Sequence, residues 1–297
     1  MGRISDSIVR RAMLATMASG DGGYPQGGSL AFAKRMADTF TAMGGEIRYQ
    51  TKVHGIVREN GKAVGVRIRD KILNAPALIV TAETLAAEKL LDFPITDPWF
   101  LKLKERAKPT NCCFIGIGLQ TLIKEIPGFV LDEPIAIGPH VYRSLGFHCY
   151  TQNPTYAPEG CTAVTTTLMG DSYDYWKTAK AQGRYQAEKQ RLADEVLGAL
   201  CRHAPQIEGH IEVVDIATPL TYESYTGATR GAWMSTLDVG QSIPSCPCTL
   251  KNVQSLYFAG HRTLLPGGLP SALVSGRRAA QMVCRQFGIP FQSKQNK

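Results

Sequence analysis

The sequence predicts an α/β fold that carries an α+β insert, and three blocks of the chain support this prediction. A helical pattern followed by short strand-like runs fills the first block. Strand-like and helical runs alternate in the second. In the third, near the C-terminus, an apolar strand leads through a glycine-rich bend into a helix of small residues. The 297 residues leave room for about two domains.

The first block is expected to contain one helix and several strands. Apolar residues recur at helical spacing from Leu30 to Met43, and Gly44 and Gly45 provide a stop. The dipeptide Asn60-Gly61 is typical of a tight hairpin turn. Short apolar runs predict strands at residues 47–50, 53–58, 63–69 and 78–80.

The middle block is expected to be a sheet with covering helices. β-branched and apolar content predicts strands at residues 113–119 and 161–168. Helical periodicity predicts helices at residues 84–91 and 185–200. Prolines interrupt the block, but no long Pro-rich or Gly/Ser-rich linker separates it from its neighbours.

The C-terminal block carries the most informative pattern. An apolar strand ends at Ala259-Gly260, and Pro266-Gly267-Gly268 opens a helix. Free amides at a helix start can hold an anion such as a cofactor phosphate, whereas tight helix packing is the alternative interpretation. The helix is expected to turn one apolar or small face toward a neighbour, at Leu269, Ala272, Leu273, Gly276, Ala280, Val283 and Phe287.

Three segments resemble one protein superfamily. The Ala-Gly strand end, the glycine-rich turn and the Ser275-Gly276-x-x-Ala-Ala helix resemble the C-terminal flavin-contact motif of FAD-dependent amine oxidases and phytoene desaturases. Residues 23–66 resemble the central FAD-domain segment of the same superfamily. Residues 217–227, Ala-Thr-Pro-Leu-Thr-Tyr-Glu-Ser-Tyr-Thr-Gly, resemble the branch of carotenoid desaturases, carotenoid isomerases and retinol saturases.

The resemblance implies FAD as the cofactor and a partial FAD/NAD(P)-binding Rossmann-like flavoprotein domain with an interleaved substrate domain. Residues 1–82 are expected to form the central part of the FAD-binding domain, 83–250 the substrate-binding domain, and 251–297 the C-terminal part of the FAD-binding domain.

The family pattern normally opens with a strand, a G-x-G-x-x-G turn and a helix that seat the pyrophosphate. The candidate Gly116-Ile117-Gly118 lacks the third glycine, and after Gly20-Asp21-Gly22 the third position holds Pro25, which has no amide to donate. The sequence is therefore expected to correspond to the C-terminal portion of a flavoprotein.

Candidate site residues follow from the same resemblance. The cofactor-binding residues are Val53, whose backbone would lie beside the adenine, together with Gly260, His261, Gly267, Gly268, Leu269 and Pro270. At position 261 relatives commonly carry an acidic residue, while a histidine would donate to a phosphate oxygen, with added charge complementarity if protonated. Tyr222, Tyr225 and Trp233 are candidate substrate contacts, with burial as core aromatics as the alternative. No catalytic residue is assigned.

Composition narrows the class of protein. Eight cysteines lack metal-site spacing, and six histidines are widely spread, so we expect no metal site. The net charge of +8 is dispersed rather than clustered, which argues against nucleic-acid binding. No apolar run is long enough to span a membrane. A cytoplasmic protein is expected, with peripheral membrane contact kept as an alternative.

These observations predict an FAD-dependent oxidoreductase that acts on C–C or C=C bonds of an unsaturated isoprenoid or carotenoid-like substrate, by desaturation, saturation or isomerisation. The expected partner is a hydrophobic small molecule. One alternative is a non-catalytic remnant, or one half of a split flavoenzyme that needs a separate chain carrying the N-terminal FAD-binding unit. Another is a flavin amine oxidase.

Overall fold

The computed structural model describes residues 18–20, 23–242, 246–265 and 267–292. The chain divides into two compact units. Of the described residues, unit 1 holds those within Tyr49–Thr110 and Glu223–Lys297, and unit 2 holds those within Met13–Arg48 and Asn111–Tyr222. The domain boundaries and roles expected from the sequence stay predictions.

Unit 1 is built on a mixed six-stranded sheet. Its strands are β1 (Gly55–Glu59), β2 (Lys62–Ile68), β3 (Lys71–Asn74), β4 (Leu78–Val80), β13 (Thr249–Leu250) and β14 (Val253–Phe258). The order is β1-β2-β14-β13, with β3 on β2 and β4 on β14. β14 runs parallel to β2 and β4, and the other pairs are antiparallel.

The remaining elements of unit 1 lie between or after these strands in the sequence. They are a short 3₁₀ helix (Ala86–Leu90), α2 (Pro98–Arg106), a two-stranded ladder of β5 (Lys108–Thr110) with β12 (Met234–Thr236), a 3₁₀ turn (Thr229–Gly231) and α6 (Leu269–Gln286). Phe100 of α2 packs with Val80, Leu256 and Phe258 of the sheet in one buried cluster. This packing fixes the ends of β4 and β14 against a rigid core.

Unit 2 begins, in its described part, with α1 (Gly28–Ala42). Its antiparallel four-stranded sheet has the order β11-β6-β10-β9, and β7 pairs with β8. The strands are β6 (Cys112–Leu119), β7 (Phe129–Ile137), β8 (His140–Leu145), β9 (His148–Cys149), β10 (Thr162–Met169) and β11 (Ile211–Ala217). The helices are α3 (Tyr173–Ala181), α4 (Tyr185–His203), a 3₁₀ turn (Pro205–Ile207) and α5 (Pro219–Thr226), whose last residues belong to unit 1.

One face of the unit 2 sheet is buried. Ile115 and Ile117 of β6 pack with Trp176 of α3 and with Leu192 and Val196 of α4. Along β6, buried residues alternate with half-buried ones, so the opposite face carries Gly116 and Gly118. Beyond Phe114, strand β6 therefore presents no side chain on that face at positions 116 and 118.

Most predicted elements are confirmed, with small shifts in their bounds. The Asn60-Gly61 hairpin is present, and both residues have positive φ (48° and 76°), as a type I′ turn requires. The strand expected at 47–50 is wrong, because this segment ends in a turn in which Gln50 has a φ of 52°. The helix expected at 84–91 is a short 3₁₀ helix, and β3 was not predicted.

The predicted packing face of α6 is confirmed at Val283, which packs against the buried cluster of Tyr257, Ala259 and Ala279, but it is wrong at Leu269 and Leu273. Ser275 and Ala279 are its buried residues, whereas Leu269 and Leu273 are 60% and 54% exposed. The small residues turn inward because they let the helix axis approach β14 closely.

Within the described ranges, no helix is long and apolar enough to cross a membrane.

Candidate functional site

Two parallel strands of unit 1 end side by side. Leu78 of β4 lies opposite Leu256 of β14, and Val80 lies opposite Phe258. The Ala259 amide extends this ladder by donating to the Val80 carbonyl at 2.9 Å. Ligands of open α/β sheets bind outside the carboxyl ends of the strands. We call the segments that follow these two strands the strand-end site: residues 81–83, 260–262 and 267–269.

Gly260 follows β14 at a position where the residue after β4 comes close. Its φ is 123°, and a Cβ at this position would lie 3.2 Å from the Thr81 carbonyl oxygen. The Gly260 amide donates to the Ser275 hydroxyl at 3.0 Å, and that hydroxyl also lies 2.7 Å from the Ser271 carbonyl oxygen. Glycine at position 260 and serine at position 275 thus join the end of β14 to α6.

The glycine turn leads into the first turn of α6. Gly267 and Gly268 have φ values of 119° and 100°, in the region that favours glycine. A Cβ on Gly267 would lie 2.9 Å from the His261 carbonyl oxygen. Gly268 is the N-cap residue, and its carbonyl accepts the Ala272 amide at 3.1 Å.

The start of α6 suits an anion. The first amides of a helix have no intrahelical acceptor, and the positive end of the helix dipole lies there. Pro270 has no N–H, so the available donors of the first turn are the Leu269 and Ser271 amides. The first turn of α6 carries no acidic residue that would compete with an anion.

Glu83 anchors the loop after β4. Its side chain accepts the backbone amides of Leu85 and Ala86 at 3.1 and 3.0 Å. It also accepts the Thr229 hydroxyl at 2.8 Å and the Thr229 amide at 3.3 Å. These bonds fix the loop after β4 to the turn at Thr229 within unit 1.

Arg262 is the buried cation of the strand-end site. Its guanidinium donates to the Ala232 carbonyl at 2.8 Å and to the Ser235 hydroxyl at 2.7 Å. It lies 3.6 Å from Glu83, and the two side chains are 3% and 4% exposed. Burial lowers the pKa of Arg262, and the Glu83 carboxylate opposes this effect. Arg262 and Glu83 therefore form a buried ion pair in which each charge compensates the other.

His261 is half-buried between Gly260 and Arg262. Burial lowers its pKa, the neighbouring Arg262 charge lowers it further, and Glu83 opposes both effects. The imidazole is therefore neutral at neutral pH and keeps one N–H donor. Position 261 therefore offers a neutral N–H donor rather than the acidic residue that the resemblance implies.

The remaining predicted cofactor residue, Val53, lies just before β1. It is half-buried, and the next residue, His54, donates its amide to the Arg67 carbonyl at 2.8 Å. Because β1 is antiparallel to β2 and β2 is parallel to β14, Val53 lies toward the sheet edge at which β14 ends. The structure thus places Val53 toward the edge that carries the strand-end site.

The three predicted substrate aromatics are divided between the two units. Tyr222 of unit 2 donates its hydroxyl to the Cys112 sulfur, and burial raises its pKa. In unit 1, Tyr225 is 86% exposed. The backbone amide of Trp233 donates to the carbonyl of Thr110 in β5 at 3.1 Å. The exposure of Tyr225 excludes its burial as a core aromatic.

A cavity of about 580 Å³ lies on the glycine face of the unit 2 sheet. Its floor is formed by the half-buried positions of β6 and β10, and its wall by the loop around Tyr156. A Cβ added at Gly116 would meet no atom within 4 Å, so the cavity floor is open there. The charged residues of the lining are Glu212 and Asp215.

Parallel strand ends followed by a glycine turn and a helix start are the arrangement in which dinucleotide-binding folds hold a cofactor anion. The chain belongs to the family of flavin-containing amine oxidoreductases, whose family model matches residues 7–284. FAD is the cofactor that this family implies. The residues present fit it, since the glycine turn and the free amides of α6 offer the close backbone approach and the donors that a flavin nucleotide needs.

The chain is similar to carotenoid-modifying enzymes. It is 25% identical over 284 residues to the chloroplastic prolycopene isomerase of Daucus carota, a match that covers 91% of this chain and 45% of the relative. It is 26% identical over 276 residues to the 4,4'-diapolycopene oxygenase of a Methylomonas species, covering 86% and 53%. The chain therefore spans about half the length of these relatives.

The fold is also similar to that of solved amine oxidase structures. A triple mutant of putrescine oxidase aligns with a TM-score of 0.57 and 15% identity, over 87% of this chain and 53% of the oxidase. This similarity supports the Rossmann-like flavoprotein fold.

Sequence reasoning missed Glu83, Arg262 and Ser275. Glu83 closely follows the apolar strand β4 and could have been found by that signal. Arg262 follows the Ala-Gly-His motif, but only the parallel register of β4 and β14 shows that it meets Glu83. The sequence pattern groups Ser275 with small packing residues, although its hydroxyl bonds Gly260.

Proposed function

We propose that this chain forms the flavin-contact and substrate-binding part of an FAD-dependent oxidoreductase that acts on carbon–carbon bonds of a carotenoid-like or other isoprenoid substrate. The observation that carries the proposal is the strand-end site, in which Gly260, Gly267 and the start of α6 lie together after two parallel strands. A bound flavin supplies hydride transfer, so the protein needs to orient the substrate and exclude water.

In this proposal the residues of the strand-end site have separate roles. The Leu269 and Ser271 amides and the His261 N–H donate to the anionic part of the cofactor. Gly267 and Gly268 let the backbone approach it without side-chain interference. Arg262 and Glu83 position the backbone of the two strand ends, since both are buried and bonded within the protein.

The proposed substrate region is the glycine face of the unit 2 sheet. A cavity of about 580 Å³ with a flat floor suits a segment of an extended apolar chain. The relatives named prolycopene isomerase and 4,4'-diapolycopene oxygenase support a polyene rather than a polar substrate. The amine oxidase alternative rests on similarity of fold at 15% identity and is less favoured.

The substrate proposal is testable with cis-parinaric acid, a fluorescent polyene. Gly116→Val adds bulk to the open cavity floor, while Gly146→Val adds the same bulk at another unit 2 glycine that also has open space. We expect wild type and Gly146→Val to enhance the probe's fluorescence on binding and Gly116→Val to lose most of this signal. Equal signals from the two variants would contradict the proposed region.

We also propose that activity requires further polypeptide that carries the G-x-G-x-x-G unit, in the same chain or a separate one. Exposed apolar side chains on unit 1 support this: Leu273 and Val274 of α6 are 54% and 58% exposed, and Ile79 on the short strand β4 is 43% exposed. Such apolar positions on a parallel strand and its helix are normally covered.

Two measurements test the requirement for further polypeptide. Reading the coding DNA before Met1 shows whether a strand, a G-x-G-x-x-G turn and a helix precede it in frame. A visible absorption spectrum of the purified chain, after FAD addition and desalting, then shows whether the flavin is retained. We expect retention only when the additional unit is present. A stable flavin band from this chain alone would contradict the requirement, and a colourless completed protein would favour the non-catalytic alternative.

A further inference from the structure

The second candidate for chemistry in unit 1 is a pair of thiols outside the strand-end site. Cys246 and Cys248 flank Pro247 just before β13, and the two residues are 3% and 2% exposed. Neither thiol is bonded in a disulfide. Their spacing favours a loop over a metal site, and no group of three or more potential metal ligands occurs among the described residues.

The backbone around the two cysteines is held by hydrogen bonds to neighbouring elements. Cys248 has a φ of 63°, a left-handed conformation that is strained for a side-chain-bearing residue. The Phe258 amide donates to the Cys248 carbonyl at 2.8 Å, and the Arg278 guanidinium donates to the Cys246 carbonyl at 3.4 Å. The Cys248 sulfur lies 3.7 Å from the Cys246 carbonyl oxygen, so it is directed back toward the first cysteine of the pair.

The two thiols differ in acidity. The hydrogen bond from Cys246 lowers the pKa of Cys248, and the Arg278 charge adds to this against the opposing effect of burial. The same hydrogen bond and burial raise the pKa of Cys246. As a thiol, Cys248 reaches only the Cys246 carbonyl, at 3.7 Å, so ionisation gives up one weak contact. Burial raises the pKa of four other cysteines, Cys112, Cys113, Cys149 and Cys201.

We propose that Cys246 and Cys248 are an oxidisable dithiol that a hydroperoxide converts into an intramolecular disulfide. The Cys248 thiolate attacks the peroxide oxygen, the O–O bond breaks, and Cys248 becomes a sulfenic acid as the leaving hydroxide or alkoxide takes up a proton. The Cys246 sulfur then attacks the Cys248 sulfur, the S–O bond breaks, and water leaves with the Cys246 proton. Two thiols are oxidised by two electrons, and one peroxide is reduced to water and an alcohol, or to two waters.

The location gives this reaction a structural consequence. The Cys248 carbonyl accepts a hydrogen bond from Phe258 at the end of β14, and the Cys246 carbonyl accepts one from Arg278 of α6. Closing the disulfide draws the two cysteines together in a segment that is bonded to both elements. The proposal does not depend on the proposed enzymatic function, because it rests on the thiol pair alone.

The proposal is tested by peptide mass spectrometry on the folded wild-type protein. The protein is treated with hydrogen peroxide, denatured with iodoacetamide to block remaining thiols, and digested with trypsin. The peptide Gly231–Lys251 contains Cys246 and Cys248 and no other cysteine. We expect it to lose two hydrogens and to carry no alkyl group, and to become doubly alkylated after dithiothreitol. Double alkylation without reductant, or sulfinic acid at Cys248 without a disulfide, would overturn the proposal.

Variants separate the roles of the two cysteines. Cys246→Ser removes the attacking thiol, so we expect peroxide to leave a sulfenic acid at Cys248 that dimedone labels. Cys284→Ser, which removes a half-buried thiol of α6, serves as the matched control and keeps the wild-type disulfide. If dimedone labels Cys284 in preference to Cys248, the assignment of the reactive thiol is wrong. The wild-type measurement stands even if a variant folds poorly.

Discussion

Breaking the buried Glu83–Arg262 pair should strongly destabilise unit 1, and Glu83→Ala tests this expectation. The Arg262 side chain is only 3% exposed, and the substitution removes its counter-charge. It also removes the carboxylate oxygen that accepts the Thr229 hydroxyl at 2.8 Å. Removing one partner of a buried ion pair costs about 3–5 kcal/mol. For a domain of this size, that loss lowers Tm by roughly 6–20 °C.

The matched control is Glu46→Ala, which breaks an exposed Glu–Arg pair. Glu46 and Arg48 approach to 2.6 Å, but their side chains are 70% and 49% exposed. Exposed pairs contribute about 0–1 kcal/mol. Differential scanning calorimetry of the two variants compares buried and exposed pairs of the same chemistry. Equal Tm values for Glu83→Ala and Glu46→Ala would refute the reasoning.

A double substitution separates the loss of a pair from the burial of an unpaired charge. Combining Glu83→Gln with Arg262→Met removes both charges while retaining much of their volume. We expect the double variant to be more stable than Glu83→Ala, because no uncompensated charge stays buried. A double variant that is less stable than Glu83→Ala would show that the lost hydrogen bonds, rather than the unpaired charge, account for most of the loss in the free energy of unfolding.

Three further predictions concern single positions. Gly267→Ala should lower FAD affinity by roughly tenfold or more, because left-handed backbone costs a side-chain-bearing residue about 1–2 kcal/mol and the new Cβ meets the His261 carbonyl. The control is Gly276→Ala, because a Cβ at position 276 has open space. A fluorescence titration of the flavin-binding protein measures the affinity of both variants. The lowered pKa of His261 means that its protonation destabilises the folded protein as pH falls below about 6.5, the pKa of histidine in the unfolded chain. In urea unfolding at pH 7.5 and 5.5, His261→Asn should therefore lose less stability on acidification than His210→Asn, the control at an exposed histidine. Trp176→Ala should cost about 3–5 kcal/mol by urea unfolding, because the indole is fully buried.

Local patterns predicted the elements that depend on neighbouring residues. The hairpin at Asn60-Gly61 forms because both residues tolerate positive φ, and α4 forms because its apolar positions recur every turn. The strand, glycine turn and helix at the C-terminus were predicted for the same reason. These features require no knowledge of distant contacts.

The errors arise where distant contacts decide. The packing face predicted for α6 included Leu269 and Leu273 because they recur at helical spacing with smaller residues. The structure buries Ser275 instead, since its hydroxyl bonds Gly260 on another element. The Glu83–Arg262 pair likewise depends on the register of β4 with β14, which no local pattern in the sequence reveals.

The role of the strand-end site can be tested by NMR on the protein labelled with ¹⁵N-glycine. The chain has 29 glycines, distributed over both units, and three of them, Gly260, Gly267 and Gly268, lie in the strand-end site. On titration with FAD at up to millimolar concentration, we expect these three signals to shift, while Gly183 and Gly209 in turns of unit 2 stay unchanged. Shifts confined to other glycines, or no shift at any of the three, would contradict a flavin site at the ends of β4 and β14.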